Sequence, residues 1–580
     1  MLRLFYGVAH LKLKYLRFLI FALQLLLSLL LLFDLLGLQY YSTYHRVTTK
    51  MTFEVDVSVK WVLFIVTGLS FILFHSALNF RRMIPLIITA VLLYFSLGLG
   101  YALTITSLLH FILILLTIRP WLPFTASSLA LLSILEFSAA VYWLLLYPIG
   151  VKGPAESLAL LESSIYYLSA QAAPIITTLL LYQWIPQILK PKYFSKLTGF
   201  LRASAKIEFR VPPNLLLASS IIISAFSSIY PYLPSLNPSE LPVGVDVKHY
   251  INYMLMAESN ISNVWTASGG SRPIIVLLLL TVKSLTGLSA RSTVIYLPLL
   301  LNPLLVLSTY ILVKTLSEDA SYAALTAFFT SMGFKVTVNM YSYFLADLLA
   351  LIIIYYSISL LFSSIRGHST FKFLGALILF SLSIFTHPWT YIQYAAILSL
   401  YPLSSLIETR SIVEAVKRNR EVILLLLISG WIDLSKRFIV GGVEGVSATA
   451  STVGSSSSLG ILNYWGNMIF SHLFLYGGLQ SSLTVISFAL LGAIIFWRRG
   501  FLGDLLSYSL IASSIPILFV NGTLQSRLIF NLPMEILYAT AIYRLIVSQL
   551  LSDEVKKWIL IFAFSSQAAY LLRSLATLIP

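Results

Sequence analysis

The chain has 580 residues, 58% of them hydrophobic and 10% charged, with a mean hydropathy of +0.89. Soluble domains carry about 45–50% apolar and about 25% charged residues, so this composition excludes a soluble enzyme, a disordered tail and a coiled coil, and fits a chain whose solvent is mostly lipid. There is no cysteine, which excludes disulfides and thiol chemistry, and the net charge of +16 reads as the cytoplasmic Lys and Arg excess that orients membrane proteins, since no aromatic–basic motif favours nucleic acid.

At about 20 residues per span, the length accommodates about 14–17 transmembrane helices, and the expected fold is an all-α polytopic membrane protein. Arg3, Lys12, Lys14 and Arg17 precede an apolar run from Phe18 to about Leu38. That run is too long for a signal peptide and reads as a retained first span with a cytoplasmic N-terminus. A second run, Trp61–Leu78, ends at Arg81-Arg82, and further apolar segments lie near 84–103, 104–118, 124–148 and 166–188. Within the fifth of these six segments, Glu136 stands seven residues before Trp143 on the same helix face. It reads as an intramembrane functional acid or as a structural hydrogen bond between helices.

Lys190, Lys192, Lys196, Arg202, Lys206 and Arg210 then stand against the single acid Glu208, a strong cytoplasmic signal. It divides a six-span N-terminal unit (1–190) from a second membrane domain (211–580). Arg366–Lys372, Arg410–Arg420, Arg498-Arg499 and Lys556-Lys557 act as further cytoplasmic anchors, between which the number of spans is even. Segments 373–389 and 391–407 make one pair, and 503–520 and 529–549 another. Between Arg210 and Arg366 five segments compete for four places: 214–231, 273–288, 293–313, 320–334 and 342–363. The short run 320–334 is read as re-entrant or interfacial, the former being tolerated where protein or a water-filled cavity surrounds it, and 461–479 as lying along the outer surface. Two sequons, Asn260-Ile-Ser262 and Asn521-Gly-Thr523, fall in loops that this parity puts outside, where glycosylation occurs.

Four stretches carry residues with chemistry. The external loop Pro231–Arg272 holds Asp246, Lys248, His249 and Arg272. A carboxylate at the membrane surface serves as a general base on a hydroxyl, and the basic residues suit phosphate; the alternative is that Asp246 is a solvated loop acid or caps a helix starting at Val247. Thr386-His387-Pro388-Trp389-Thr390-Tyr391 forms an apex between two spans. There His387 is a proton donor or phosphate contact and Trp389 and Tyr391 stack on a sugar, unless the segment is a Pro turn with interfacial aromatics. Gln525-Ser-Arg527 precedes Asn531-Leu-Pro533, and Arg527 suits a lipid-linked phosphate through its two-pronged guanidinium, or else snorkels to headgroups. Asp347 enters the span at 342–363, where it needs a partner or a cavity.

The stretches Gly244-Val-Asp246-Val-Lys-His-Tyr250, Ser271-Arg272-Pro273, Tyr341-Ser-Tyr-Phe-Leu-Ala-Asp347-Leu-Leu-Ala-Leu351, Thr386–Tyr391 and Arg527 before Asn531-Leu-Pro533 together resemble the glycosyltransferase C superfamily. Within it the chain is most similar to archaeal members related to protein mannosyltransferases and oligosaccharyltransferase-like proteins. The resemblance covers residues 214–550 and implies a hexosyltransferase in the plasma membrane. It implies a polyprenyl-phosphate-linked sugar donor, a glycan, lipid or protein acceptor, extracytoplasmic transfer with inversion, Asp246 as the catalytic acid, and Arg527 with Arg272 on the donor phosphate. The first loop lacks an Asp-x-Asp or Asp-Glu pair, so no metal ligand and no cofactor are assigned and dependence on a divalent metal stays open. No large soluble C-terminal domain follows, unlike a full oligosaccharyltransferase. The competing readings are a transporter or lipid flippase, in which the same charges line a path, and a non-catalytic assembly subunit.

Overall fold

A computed structural model describes residues 39–44, 47–52, 122–146, 212–239, 241–440, 488–489, 492–493, 500–517, 528, 530–547 and 551–578. The chain divides into two compact units, residues 1–129 with 166–202 and residues 130–165 with 203–580. The first contains a hairpin of β1 (Gln39–Tyr44) and β2 (Val47–Thr52), antiparallel with Gln39 opposite Thr52 and Tyr44 opposite Val47. Its Tyr, Thr and Val content is what a pleated ribbon favours. The other regular elements described are helices.

The helices in chain order are α1 (Leu122–Leu146), α2 (Pro213–Ile229), α3 (Val247–Ser259), α4 (Pro273–Thr286), α5 (Ala290–Tyr296), α6 (Pro298–Ser317), α7 (Ala320–Ser331), α8 (Phe334–Ser342), α9 (Leu345–Gly367), α10 (Thr370–Thr386), α11 (Pro388–Thr409), α12 (Ile412–Arg418), α13 (Arg420–Val440), α14 (Gly500–Ile517), α15 (Met534–Val547) and α16 (Asp553–Thr577). Among the described residues four helical stretches are long and apolar enough to cross a membrane: Pro213–Tyr232, Ala290–Ser317, Leu345–Gly367 and Asp553–Ala576. Ala126–Val141, Pro273–Thr286 and Thr370–Thr386 are shorter apolar helices. The boundaries follow local chemistry. Pro opens α2, α4, α6 and α11 at the position where its missing N–H costs nothing, and Ser289, Asp319, Ser369, Ser411 and Ser552 cap helices through their side-chain oxygens.

The bundle has two chemically distinct ends. At one, Arg366 donates to the carbonyls of Thr315 (2.6 Å) and Leu316 (3.0 Å) and pairs with Glu318 at 2.8 Å, while the Tyr543 hydroxyl donates to Asp319 at 2.6 Å. The last turns of α6, α9 and α15 and the first turn of α7 therefore meet at this basic end. At the opposite end the polypeptide between α2 and α6 builds a cap.

This arrangement revises the span count. Residues 320–334, expected to be re-entrant or interfacial, lie in the bundle interior: α7 is buried along nearly its whole length against α2, α6 and α15. Continued by α8, it carries the chain from the basic end to the cap. It is α4 that leaves the count. At 14 residues it is about 21 Å long, shorter than the ~30 Å hydrocarbon core. It runs beside α3 in the same direction, since Arg272 at its start lies near enough to Tyr250 to act on its charge state and Lys283 near its end pairs with Glu258 at 2.7 Å. Hydropathy alone scores the Ile, Val and Leu of α4 and overlooks the short break at Met332-Gly333 that divides the α7–α8 passage. The terminal helix α16, absent from the segments named from sequence, is also long and apolar enough to cross a membrane.

Candidate functional site

Asp246 sits at the start of α3, in a loop fixed from three sides. The Tyr232 hydroxyl both donates to the Val243 carbonyl (3.0 Å) and accepts from its N–H (3.1 Å). The Val245 N–H donates to the Tyr341 carbonyl at 3.0 Å. Gly244 has φ +113°, and a Cβ there would meet the Tyr343 ring at 2.7 Å and the Met340 carbonyl at 3.0 Å, so only glycine fits. Tyr343 itself is fully buried at φ 64°, a costly conformation for a bulky residue, held by its hydroxyl on the Val294 carbonyl at 2.6 Å. Asp246 is partly exposed. Its side chain makes no cap bond, and among the described residues it forms no hydrogen bond or ion pair.

One turn on, buried Tyr250 accepts the Ala346 N–H at 3.1 Å. Burial pushes its pKa up; the charge and hydrogen bond of Arg272 pull against that shift, and the charge of Asp246 adds to it. Asp246, Tyr250 and Arg272 thus form one electrostatic cluster, joined through Ala346 to Asp347. The Arg272 N–H donates to Ser268 Oγ at 3.0 Å, and its side chain is half-buried. Lys436, buried at the end of α13, donates to the carbonyls of Ile384 (2.9 Å) and Ser271 (3.3 Å) and lies 5.6 Å from the Phe385 ring centre.

Behind this cluster lies a second. Asp347 and His387 are each 2% exposed. The Thr390 hydroxyl donates to Asp347 Oδ1; His387 Nδ1 lies 2.7 Å from the same hydroxyl oxygen and 3.4 Å from Asp347 Oδ1. The Asn531 side chain donates to Thr390 at 3.3 Å. His387 is also the N-cap of α11.

Pro533 interrupts the helix here and frees carbonyls that neighbouring elements claim. Gln393 donates to Leu528 (3.0 Å), the Tyr394 hydroxyl to Asn531 (3.0 Å) and Lys335 Nζ to Leu532 (2.5 Å). Lys335 also forms a buried ion pair with Glu535 at 2.7 Å, and the Lys335 N–H reaches the same carboxylate at 3.3 Å. Gly333 permits the approach, because a Cβ there would meet Glu535 Cγ at 2.7 Å. Helices α3, α4, α9, α11 and α15 all begin in this region, so five positive dipole ends face it.

Of the residues expected from sequence, the fold brings Asp246, Arg272, Asp347 and His387 to one end of the bundle, opposite the basic end. Lys248 and His249 are exposed on α3, and Trp389 is half-buried. Tyr391 is buried, its ring 5.2 Å from Phe380 and its hydroxyl donating to Ser429 at 3.1 Å. Glu136 is 1% exposed, within the turn where Ser133 meets Ser565 at 3.2 Å. Arg527, the Asn521 sequon, segment 461–479 and the apolar runs at 18–38, 61–78, 84–103, 104–118 and 166–188 lie outside the described residues. Lys335, Glu535, Lys436 and Tyr250 were missed. For Lys335 and Glu535 the available signal was a lone charge in an apolar stretch, which requires a partner. Among the described residues no group of three His, Asp or Glu side chains is arranged to hold a metal ion. No protein-family model matches the chain, and no curated protein matches it in sequence.

Proposed function

We propose that the chain is a multi-pass membrane glycosyltransferase of the glycosyltransferase C type, using a polyprenyl-phosphate-linked sugar, with the basic end in the cytoplasm, the cap outside and about 14–17 spans in all. The observation that carries this reading is the partly exposed Asp246 carboxylate, without a hydrogen bond or ion pair among the described residues, close to Tyr250 and Arg272. Such an acid is available as a base, and a guanidinium at a helix start, among converging helix N-termini, suits a phosphate.

In this reading the lipid phosphate lies against Arg272 at the start of α4, with Arg527 as the second phosphate contact assigned from sequence. Asp246 takes the proton of an acceptor hydroxyl. The acceptor oxygen attacks the anomeric carbon from the face opposite the phosphate, the carbon–oxygen bond to phosphate breaks, and polyprenyl phosphate leaves with inversion. Arg272 meets the charge developing on the departing phosphate, so one carboxylate is enough, unlike the acid pair of a glycosidase. The buried Asp347–Thr390–His387 cluster holds the starts of α9 and α11 in register beneath the site.

The test is release of polyprenyl phosphate from a panel of polyprenyl-phosphate hexoses by the purified full-length protein, with lipid, glycan and hydroxyl-peptide acceptors supplied in turn. The expected result is turnover by the wild type, loss in D246N, and a lowered kcat in R272K, because Arg272 meets charge that develops only as the phosphate departs. Turnover by D246N at the wild-type rate overturns the assignment of the base.

A further inference from the structure

The sequon at Asn260 is structurally prepared for modification. Asn260 ends α3 with an extended backbone (φ −156°, ψ 122°), and its Oδ1 accepts the Ser262 N–H at 3.0 Å. That contact turns the Asn-Ile-Ser segment back on itself and leaves the amide nitrogen outside the turn. Among the described residues neither Asn260 Nδ2 nor Ser262 Oγ makes a hydrogen bond, and both residues are exposed. Ile261 between them is 68% exposed. Neighbouring Asn263 differs: its Nδ2 donates to the Met256 carbonyl at 3.0 Å and to Ser259 at 3.5 Å, and no Ser or Thr stands two residues beyond it.

We propose that Asn260 carries an N-linked glycan. The turn is held by the oxygen of the side-chain amide, so substituting its nitrogen costs no hydrogen bond. Ser262 Oγ is free to be read by the modifying transferase, whose donor is a lipid-linked oligosaccharide of the same membrane. In the transfer a bond forms between Nδ2 and the anomeric carbon, the bond from that carbon to the lipid phosphate breaks, and one amide proton is lost to a base of the transferase. The 13 residues of α3 put this position about 20 Å along the helix from Asp246, so a glycan there leaves the mouth of the proposed site open. The inference shares with the proposed function only the sidedness of the cap; it does not depend on Asp246 being catalytic.

The experiment is mass spectrometry of the peptide bearing Asn260 from the full-length protein isolated from its native membranes, compared with S262A and S262T expressed in the same cells. The expected result is a mass gain of whole sugar units on Asn260, lost in S262A together with an electrophoretic shift, and kept in S262T. Unmodified Asn260 in the wild type, or a modification that survives S262A, overturns the proposal. Because the readout is covalent mass, it stays separate from the outcome of the D246N turnover assay.

Discussion

Replacing Lys335 by Met removes two contacts at once, the 2.7 Å pair with Glu535 and the 2.5 Å bond to the Leu532 carbonyl. Both partners are buried, with Lys335 1% and Glu535 6% exposed. Deleting one member of a buried pair leaves the other charge uncompensated and costs about 3–5 kcal/mol. The Leu532 carbonyl keeps the Met534 N–H at 2.8 Å, so most of the loss comes from the stranded Glu535 carboxylate. The double variant K335M/E535Q removes both charges while Gln still accepts the Lys335-position N–H, and it is expected within about 1–2 kcal/mol of wild type. Titration of the purified protein with a denaturing detergent in mixed micelles, followed by circular dichroism, compares wild type, K335M, E535Q and the double variant. An unchanged midpoint in K335M, or a double variant as unstable as the two single changes summed, refutes the reasoning that this pair locks the helix break at Pro533.

Gly244→Ala forces a Cβ into the Tyr343 ring at a φ that side chains rarely adopt; turnover is expected to fall at least tenfold because the Asp246 loop shifts, and an unchanged kcat removes that loop from the site. Tyr250→Phe leaves the buried Ala346 N–H without its acceptor, a loss of about 1–3 kcal/mol in the same detergent titration. Thr390→Val breaks the bridge between Asp347, His387 and Asn531, whereas Thr390→Ser keeps it, so Ser is expected to retain the stability that Val loses. Because the chain has no cysteine, single cysteines report sidedness directly: N260C is expected to react with an impermeant maleimide added outside intact cells, and K417C only after lysis.

Apolar runs and their breaks were readable because hydropathy and Pro act locally. The segments near 124–148, 214–231, 373–389 and 391–407 lie within three residues of α1, α2, α10 and α11 at each end. Asp246 stood out as an acid in a long polar loop, and Arg272, Asp347 and His387 as polar residues at the edges of apolar segments. What sequence did not reveal is pairing across long separations. The Lys335–Glu535 pair spans 200 positions, and Lys436 is bound by the carbonyls of Ile384 and Ser271, which carry no sequence signature. The choice between α4 and α7 as the segment left out of the span count depended on what each packs against, which hydropathy does not measure.

In the proposed enzyme a lipid phosphate and the Asp246 carboxylate meet beneath the cap. An electron-microscopy map of the full-length protein with polyprenyl phosphate is the sharpest test. Phosphate density is expected within ion-pair distance of Arg272 at the start of α4, facing Asp246. Density at the opposite end beside Arg366, or an empty cap at saturating lipid phosphate, contradicts that expectation.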